Sequence, residues 1–397
     1  MRRIVVVGAS LAGLRTAEAL RAQGFAGELT LVGDEPHMPY DRPPLSKELR
    51  IAPLDVAEDL DARWLIGRRA VGLDIGRRTV ALEGGDTAAY DEIGYDGLVI
   101  ATGTAARQWP GQPLPQGVFT LRGLDDTLAL RAELTEGRRL VVVGAGFLGS
   151  ELAAAARELG LEVTLIEAAE QPLQRAAGSQ VGAYVAELHR AAGIALHTGC
   201  TVREFRTAPG TDRIGSVTLD DGTSLPADLA VLALGAEPAT GWLAGSGLRL
   251  GGGVHADAYL RVLRADGVPE PGIVAAGDVV NLPQPLAGGA RLALGHWADA
   301  VEHAGTAAYS LLNPADPRPH QGIPSFWSDL HGVKFRSVGL PAAADEVRVV
   351  ELDVASRRVE VTYHFRGRLV GALTARRTGR LAAYRQELAP RVGEFVN

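Results

Sequence analysis

Apolar residues in this chain gather into short solid runs that close on glycine. Arg3–Val7 reads as a first strand and passes straight into Gly8-Ala9-Ser10-Leu11-Ala12-Gly13. A run this short and this apolar is the mark of a strand buried on both faces. A helix is expected next, to about Gln23, with Leu11, Leu14, Ala17 and Leu20 near one face. Residues 29–32 form a second apolar run ending at Gly33-Asp34-Glu35, which completes a βαβ unit.

The pattern then repeats. Arg139–Val143 is a strand, Gly144-Ala145-Gly146-Phe147-Leu148-Gly149 a turn, residues 150–159 a helix, and residues 161–166 a strand ending at Glu167. Each unit has a distant apolar companion: Gly97–Ile100, closing in Ala101-Thr102-Gly103, and residues 229–234, closing in Gly235. Gly8 and Gly144 are 136 positions apart, and Gly103 and Gly235 are 132 apart. Two pairs at nearly one offset point to two similar nucleotide-binding domains. A further buried-type strand ends in Gly277-Asp278. Residues 311–324 hold Pro314, Pro317, Pro319 and Pro324 and read as a linker. Beyond it the runs turn to alternation, with strands expected at 347–352 and 358–363.

Composition narrows the function. The chain has 397 residues, room for two or three domains, and its 49 glycines imply many tight backbone sites. A net charge of −7 excludes a generally basic, nucleic-acid-coating protein. The charge is uneven: residues 321–397 carry 12 Lys/Arg against 8 Asp/Glu. The lone cysteine, Cys200, excludes an intrachain disulfide, a Cys-x-x-Cys pair and a cysteine-held Fe–S cluster, and reads as a small buried hydrophobe. It also fits a reducing compartment. With no apolar run long enough to span a bilayer, a soluble cytoplasmic protein is expected. His296 and His303 lack ligand spacing, so no metal site is expected.

A G-x-G-x-x-G turn between strand and helix brings backbone N–H groups and a helix N-terminus to a pyrophosphate. Gly144, Gly146 and Gly149 match in full, and Glu167 stands where a carboxylate accepts from a ribose 2′-OH and repels a 2′-phosphate, favouring NADH. In the first loop Ser10 replaces the middle glycine of Gly8 and Gly13, and Asp34 or Glu35 supplies the acid. Lys47 is one of only two lysines among 40 basic residues, the other being Lys334. Two dinucleotide sites with no further catalytic kit suggest a flavin plus a nicotinamide. A compact point charge behind the stiff Pro43-Pro44 pair suits the electron-rich edge of a reduced flavin, although a plain surface lysine fits the sequence too. Glu151 reads equally as an ordinary first-turn acid or as the partner of Lys47.

The segment Met38-Pro39-Tyr40-Asp41-Arg42-Pro43-Pro44-Leu45-Ser46-Lys47-Glu48-Leu49 resembles the signature of FAD-dependent ferredoxin reductases that serve Rieske-type oxygenases and cytochromes P450. Apoptosis-inducing factor is similar in the same places. The likeness extends to Ala101-Thr102-Gly103, residues 144–151, Gly277-Asp278 and Phe326-Trp327-Ser328-Asp329. It implies an α/β, glutathione-reductase-like fold with two Rossmann-like domains. Residues 1–110 and 240–315 would bind FAD, 111–239 NAD, and 321–397 would form a small C-terminal α/β domain. It further implies that Arg42, Lys47, Val71, Ala101, Thr102, Arg107, Arg122, Asp278 and Trp297 contact FAD, with Asp278 on the ribityl chain and Trp297 against the isoalloxazine.

The implied activity takes electrons from NADH through FAD to an acidic [2Fe-2S] ferredoxin, and so indirectly to an oxygenase or P450. Lys47 and Glu151 would be catalytic. Disulfide reductases of the same superfamily carry cysteines near residues 40–50, and this chain has none there. Arg291, Lys334 and Arg336 are candidates for a basic docking patch. Rubredoxin, nitrite or monodehydroascorbate reductases, or an NADH-sensing flavoprotein, are the alternatives. Monomer and homodimer both stay open.

Overall fold

The computed structural model describes residues 1–84, 91–111 and 113–393; the last four positions of the 321–397 reading lie outside them. Ile4 to Val7 are each at most 2% exposed because their strand is internal to a sheet. Arg3–Val7 pairs in parallel with Glu28–Gly33 on one side and Gly97–Ile100 on the other. Arg63–Ile66 and Pro269–Ala275 extend the two sides in parallel, and Arg261–Leu263 closes one edge antiparallel. The helices Leu11–Ala22 and Trp297–Leu312 pack on each other beside this sheet.

The second unit repeats the plan. Arg139–Val143 lies between Glu162–Glu167 and Leu229–Leu232, flanked by Ala195–Thr198 and Val118–Thr120, all parallel. In both sheets the strand before the glycine loop sits where the chain reverses its course across the sheet. Such a switch point opens a crevice at the strands' carboxyl ends, where ligands of α/β sheets bind.

Three boundaries differ from the sequence reading. The helix after the second glycine loop is Phe147–Glu158, so it begins inside the loop. The run 229–234 leaves the sheet after Leu232, although Ala233 N–H still bonds Val143 O at 2.8 Å. Trp297–Leu312 continues through the start of the expected linker, which begins at Asn313.

Past the prolines, five antiparallel strands form one sheet. Their order is Ser325–Leu330, Val333–Gly339, Arg368–Ala375, Arg358–Phe365, Glu346–Asp353, and the expected strands 347–352 and 358–363 lie within it. One face leans on the helix Gln174–Ala191 of the second unit: the Tyr184 and Phe335 rings meet edge-on at 6.1 Å, and Tyr363 Oη–H donates to Ala177 O at 2.8 Å. Among the described residues no helix is long and apolar enough to cross a membrane. Cys200 is only half-buried, against the second unit's core, because it follows the sheet rather than sitting in it; burial raises its thiol pKa.

Candidate active site

Two glycine loops at the carboxyl ends of the two sheets define the crevices. Gly8 has φ +114°, and a Cβ there would stand 2.1 Å from Ala101 O; a Cβ at Gly13 would stand 1.8 Å from Gly8 O. The second loop has the same contacts: a Cβ at Gly144 (φ +103°) meets Ala233 O at 2.3 Å, and one at Gly149 meets Gly144 O at 1.9 Å. Only glycine lets these helices come so close to the sheet. Gly146, by contrast, has nothing within 4 Å of its Cβ position, so the middle of that loop is open to a ligand. Neither following helix has an acid in its first turn, and the Ser10 hydroxyl makes no capping bond. Free N–H groups, an unopposed dipole and one spare hydroxyl suit a pyrophosphate.

The acids after the two loops are held differently. Glu167 accepts from the loop itself, Ala145 N–H at 2.7 Å, and from Ala169 N–H at 2.9 Å. Glu35 accepts from Tyr40 Oη–H and from the Arg42 guanidinium, whereas Asp34 is exposed. Arg42 also reaches Arg122 O at 2.8 Å. Arg122 bonds Thr104 O at 3.0 Å and Asp278 at 3.3 Å; burial holds it below the usual arginine range, against the pull of Asp278. Gly277, which precedes Asp278, gives its N–H to His303 Nδ1 at 3.3 Å. Burial lowers the His303 pKa to about 3, so the ring is a neutral acceptor propping that turn.

Lys47 ends the short helix Pro43–Lys47, and Leu49 just beyond it is left-handed (φ 49°) and 4% exposed. That conformation costs a branched residue about 1–2 kcal/mol. It is sustained because Leu49 inserts into the second unit's core with Leu130, Leu140 and Leu152. The peg brings Lys47 to the helix Phe147–Glu158. There its ammonium pairs with Glu151, the two side chains being 12% and 7% exposed. Glu151 is the fifth residue of that helix, one turn deeper than the sequence suggested, because the helix starts at Phe147. Its carboxylate also accepts from Ser46 Oγ–H at 2.8 Å and Ser328 Oγ–H at 2.6 Å.

Trp297 opens its helix and donates from Nε1 to Asp41 at 2.7 Å. Its ring meets Trp327 edge-on at 5.7 Å, and Trp327 is 40% exposed. Phe147 touches Phe326 with centroids 4.8 Å apart. The strand Ser325–Leu330 therefore contacts both units through three successive side chains.

The remaining sequence candidates lie around these crevices. Leu11 and Ala12 start the first helix, and Leu148 lies in the first turn of the second. Thr102 Oγ1–H caps Ala239 O at 2.8 Å; Gly103 and Gly235 take positive φ; Gly235 O accepts the Arg107 N–H at 3.0 Å, leaving the Arg107 side chain exposed. Val71 is half-buried at a bulge in Arg69–Asp74. Arg291 is not a surface charge: it is half-buried and bonds Ala256 O and, at 2.7 Å, Asn281 O. Sequence reasoning gave no role to Tyr40, Asp41, Ser46 or Ser328. No group of three His, Cys, Asp or Glu among the described residues could hold a metal ion.

A family model described as pyridine nucleotide-disulphide oxidoreductase matches residues 2–304. The chain belongs to that family. A second model, described as reductase C-terminal, matches residues 325–393. The biphenyl dioxygenase system ferredoxin–NAD(+) reductase component of Paraburkholderia xenovorans is 35% identical over 384 residues, covering 94% of this chain and 89% of its own length. The chlorobenzene dioxygenase ferredoxin reductase component of a Cupriavidus species is 35% identical over 347 residues, covering 85% and 80%. Among solved structures, the putidaredoxin reductase–putidaredoxin covalent complex aligns with a TM-score of 0.89 at 29% identity, covering 98% of this chain and 93% of that one. The ferredoxin reductase for the CYP199A2 system of Rhodopseudomonas palustris gives 0.85 at 31%, covering 96% and 92%. As a member of this family the chain is an oxidoreductase of glutathione-reductase-like fold whose cofactors are FAD and NADH.

Proposed function

We propose that this chain is an NADH-dependent flavoprotein reductase that delivers electrons to a [2Fe-2S] ferredoxin, which feeds an oxygenase or a cytochrome P450. The observation that carries the reading is the single cysteine: a family defined by disulphide chemistry here has no second thiol to receive electrons. Electrons must leave for an external acceptor, and the relatives' names say which kind they serve.

In this reading residues 1–110 and 240–315 hold FAD, and 111–239 hold NADH. When bound, FAD supplies the chemistry of accepting a hydride and releasing its electrons singly. The 144–149 loop takes the NADH pyrophosphate, and Glu167 accepts from the ribose 2′-OH. The 8–13 loop takes the FAD pyrophosphate on N–H groups and Ser10, Arg122 fixes Asp278 toward the ribityl chain, and the bond from Trp297 to Asp41 fixes the indole as a wall that excludes water. Lys47 offers positive charge to the reducible edge, and Glu151 is its buried partner at rest.

The acceptor's landing site centres on Trp327. Arg336 lies directly across from Trp327 and Lys334 across from Asp329; both basic side chains are exposed, on a domain more basic than the rest of the chain. Arg291 is left out, being tied to carbonyls. Local positive charge offsets the net −7 for an acidic partner. The lone cysteine supports a reducing, cytoplasmic setting.

The test is NADH-driven reduction of cytochrome c, with and without a [2Fe-2S] ferredoxin. Rapid reduction only with ferredoxin is expected. Slow turnover accompanied by NADH-induced dimerisation would overturn the proposal in favour of a sensor.

A further inference from the structure

We infer that Ser328, supplied by the C-terminal sheet, is a positioning residue for the Lys47–Glu151 pair. It holds the buried carboxylate in place so that the lysine is free to act elsewhere. The inference rests on the role proposed above for Lys47.

Glu151 is 6% exposed, and three donors reach its two oxygens. Ser46 takes Oε2, while Lys47 and Ser328 share Oε1. Were Lys47 the sole partner, moving its ammonium toward a ligand would strand a buried anion, which is costly. Two hydroxyls at 2.8 and 2.6 Å keep the carboxylate solvated when the ammonium departs. Ser46 lies next to Lys47 on one short helix and bonds the other oxygen, Oε2. Ser328 stands on a different unit, 177 positions from Glu151, and gives the anchor that is independent of Lys47.

The setting of Ser328 explains why a hydroxyl is needed there. The residue is fully buried and sits directly across from Phe335, which is 1% exposed. An apolar side chain would suit that face, and the hydroxyl's hydrogen bond runs to Glu151. Phe326, on the same face two residues earlier, meets Phe147 of the nucleotide loop. The C-terminal sheet thus completes the reaction site as well as carrying the exposed Trp327.

The test compares Ser328→Val with Ser328→Thr, two side chains of one shape that differ in the hydroxyl. Without the hydroxyl, Oε1 is left to the ammonium and ties Lys47 down. Val should slow flavin reduction by NADH roughly tenfold in a single turnover, with the NADH KM within about twofold, and Thr should restore it. The second readout needs neither NADH nor flavin. Lys47 and Lys334 are the only lysines, so competitive amine labelling of the full chain compares Lys47 with an internal exposed reference. Val should reduce the Lys47-to-Lys334 ratio about threefold, and it should have no effect in a Glu151→Gln background.

Wild-type reduction and labelling in Val would overturn the inference, as would an effect that persists in Glu151→Gln. If Lys47→Ala itself reduces at the wild-type rate, the proposed role of Lys47 fails first, which is a separate result. Should Val bind no flavin, labelling of Ser328→Ala without FAD decides the matter by the same ratio.

Discussion

The two glycine loops are built alike and wired differently. Each begins with a glycine near φ +110° that passes under a carbonyl, and each ends with a glycine against the first one's oxygen. They part at the middle position, Ser10 against Gly146, and at the acid that follows. Glu167 is held by its own loop, so the second crevice is self-contained and suits a ligand that comes and goes. Glu35 is held by Tyr40 and Arg42, and Arg42 links onward to Arg122 and Asp278. Loosening one of these groups loosens the chain of contacts, which suits a ligand that stays. On the proposed assignment of the two crevices, one local design serves a substrate or a resident cofactor, according to what its acid is tied to.

The comparison breaks most visibly at the packed glycines. Gly13→Val should reduce bound FAD below about a tenth of wild type, read from visible absorbance; Gly149→Val should keep the yellow colour and lose reduction by NADH. Both variants losing FAD equally would erase the distinction. Lys47→Ala comes next: flavin content stays and reduction slows about thirtyfold in stopped flow. Glu167→Ala should relax the preference for NADH over NADPH by roughly tenfold in kcat/KM, while Glu35→Ala should leave it unchanged and weaken FAD retention.

Acid sharpens the contrast further. His303 has its pKa lowered to about 3, so the native state resists a proton that the unfolded chain accepts below about pH 6.5. The stability it contributes is complete above that value and is lost as pH falls toward 3. Between pH 7 and pH 5 the loss is about 2 kcal/mol. Urea unfolding should show it, and His303→Gln should remove this share of the dependence while leaving that of His189, whose pKa burial likewise lowers to about 3. Ser10→Gly should have the smallest effect, about a threefold faster FAD release. A null effect there would mean that the loop's N–H groups suffice.

Much of this was legible in the sequence, for reasons that differ by residue. Solid runs such as Ile4 to Val7 are buried on both faces, so composition alone marks them, and glycines under carbonyls accept no substitute. The sequence pattern sets the start of the second helix too late because Phe147 and Leu148 are helical while still part of the glycine turn. Arg291 reads as surface charge because nothing local shows that two carbonyls wait for it from residues 10 and 35 positions away. Ser328 stayed hidden for the same reason. A serine in a strand shows a direction only once the sheet is assembled, and its partner lies in another unit.

Leu49 belongs to one half of the molecule by chain and to the other by packing. A swing of the nucleotide half cannot leave this side chain behind without opening its own interior. The tether to the ammonium two residues upstream is short, so such a swing would act as a lever on the reach of that charge. A change of angle between the halves would be felt at that ammonium through one hydrophobic tooth.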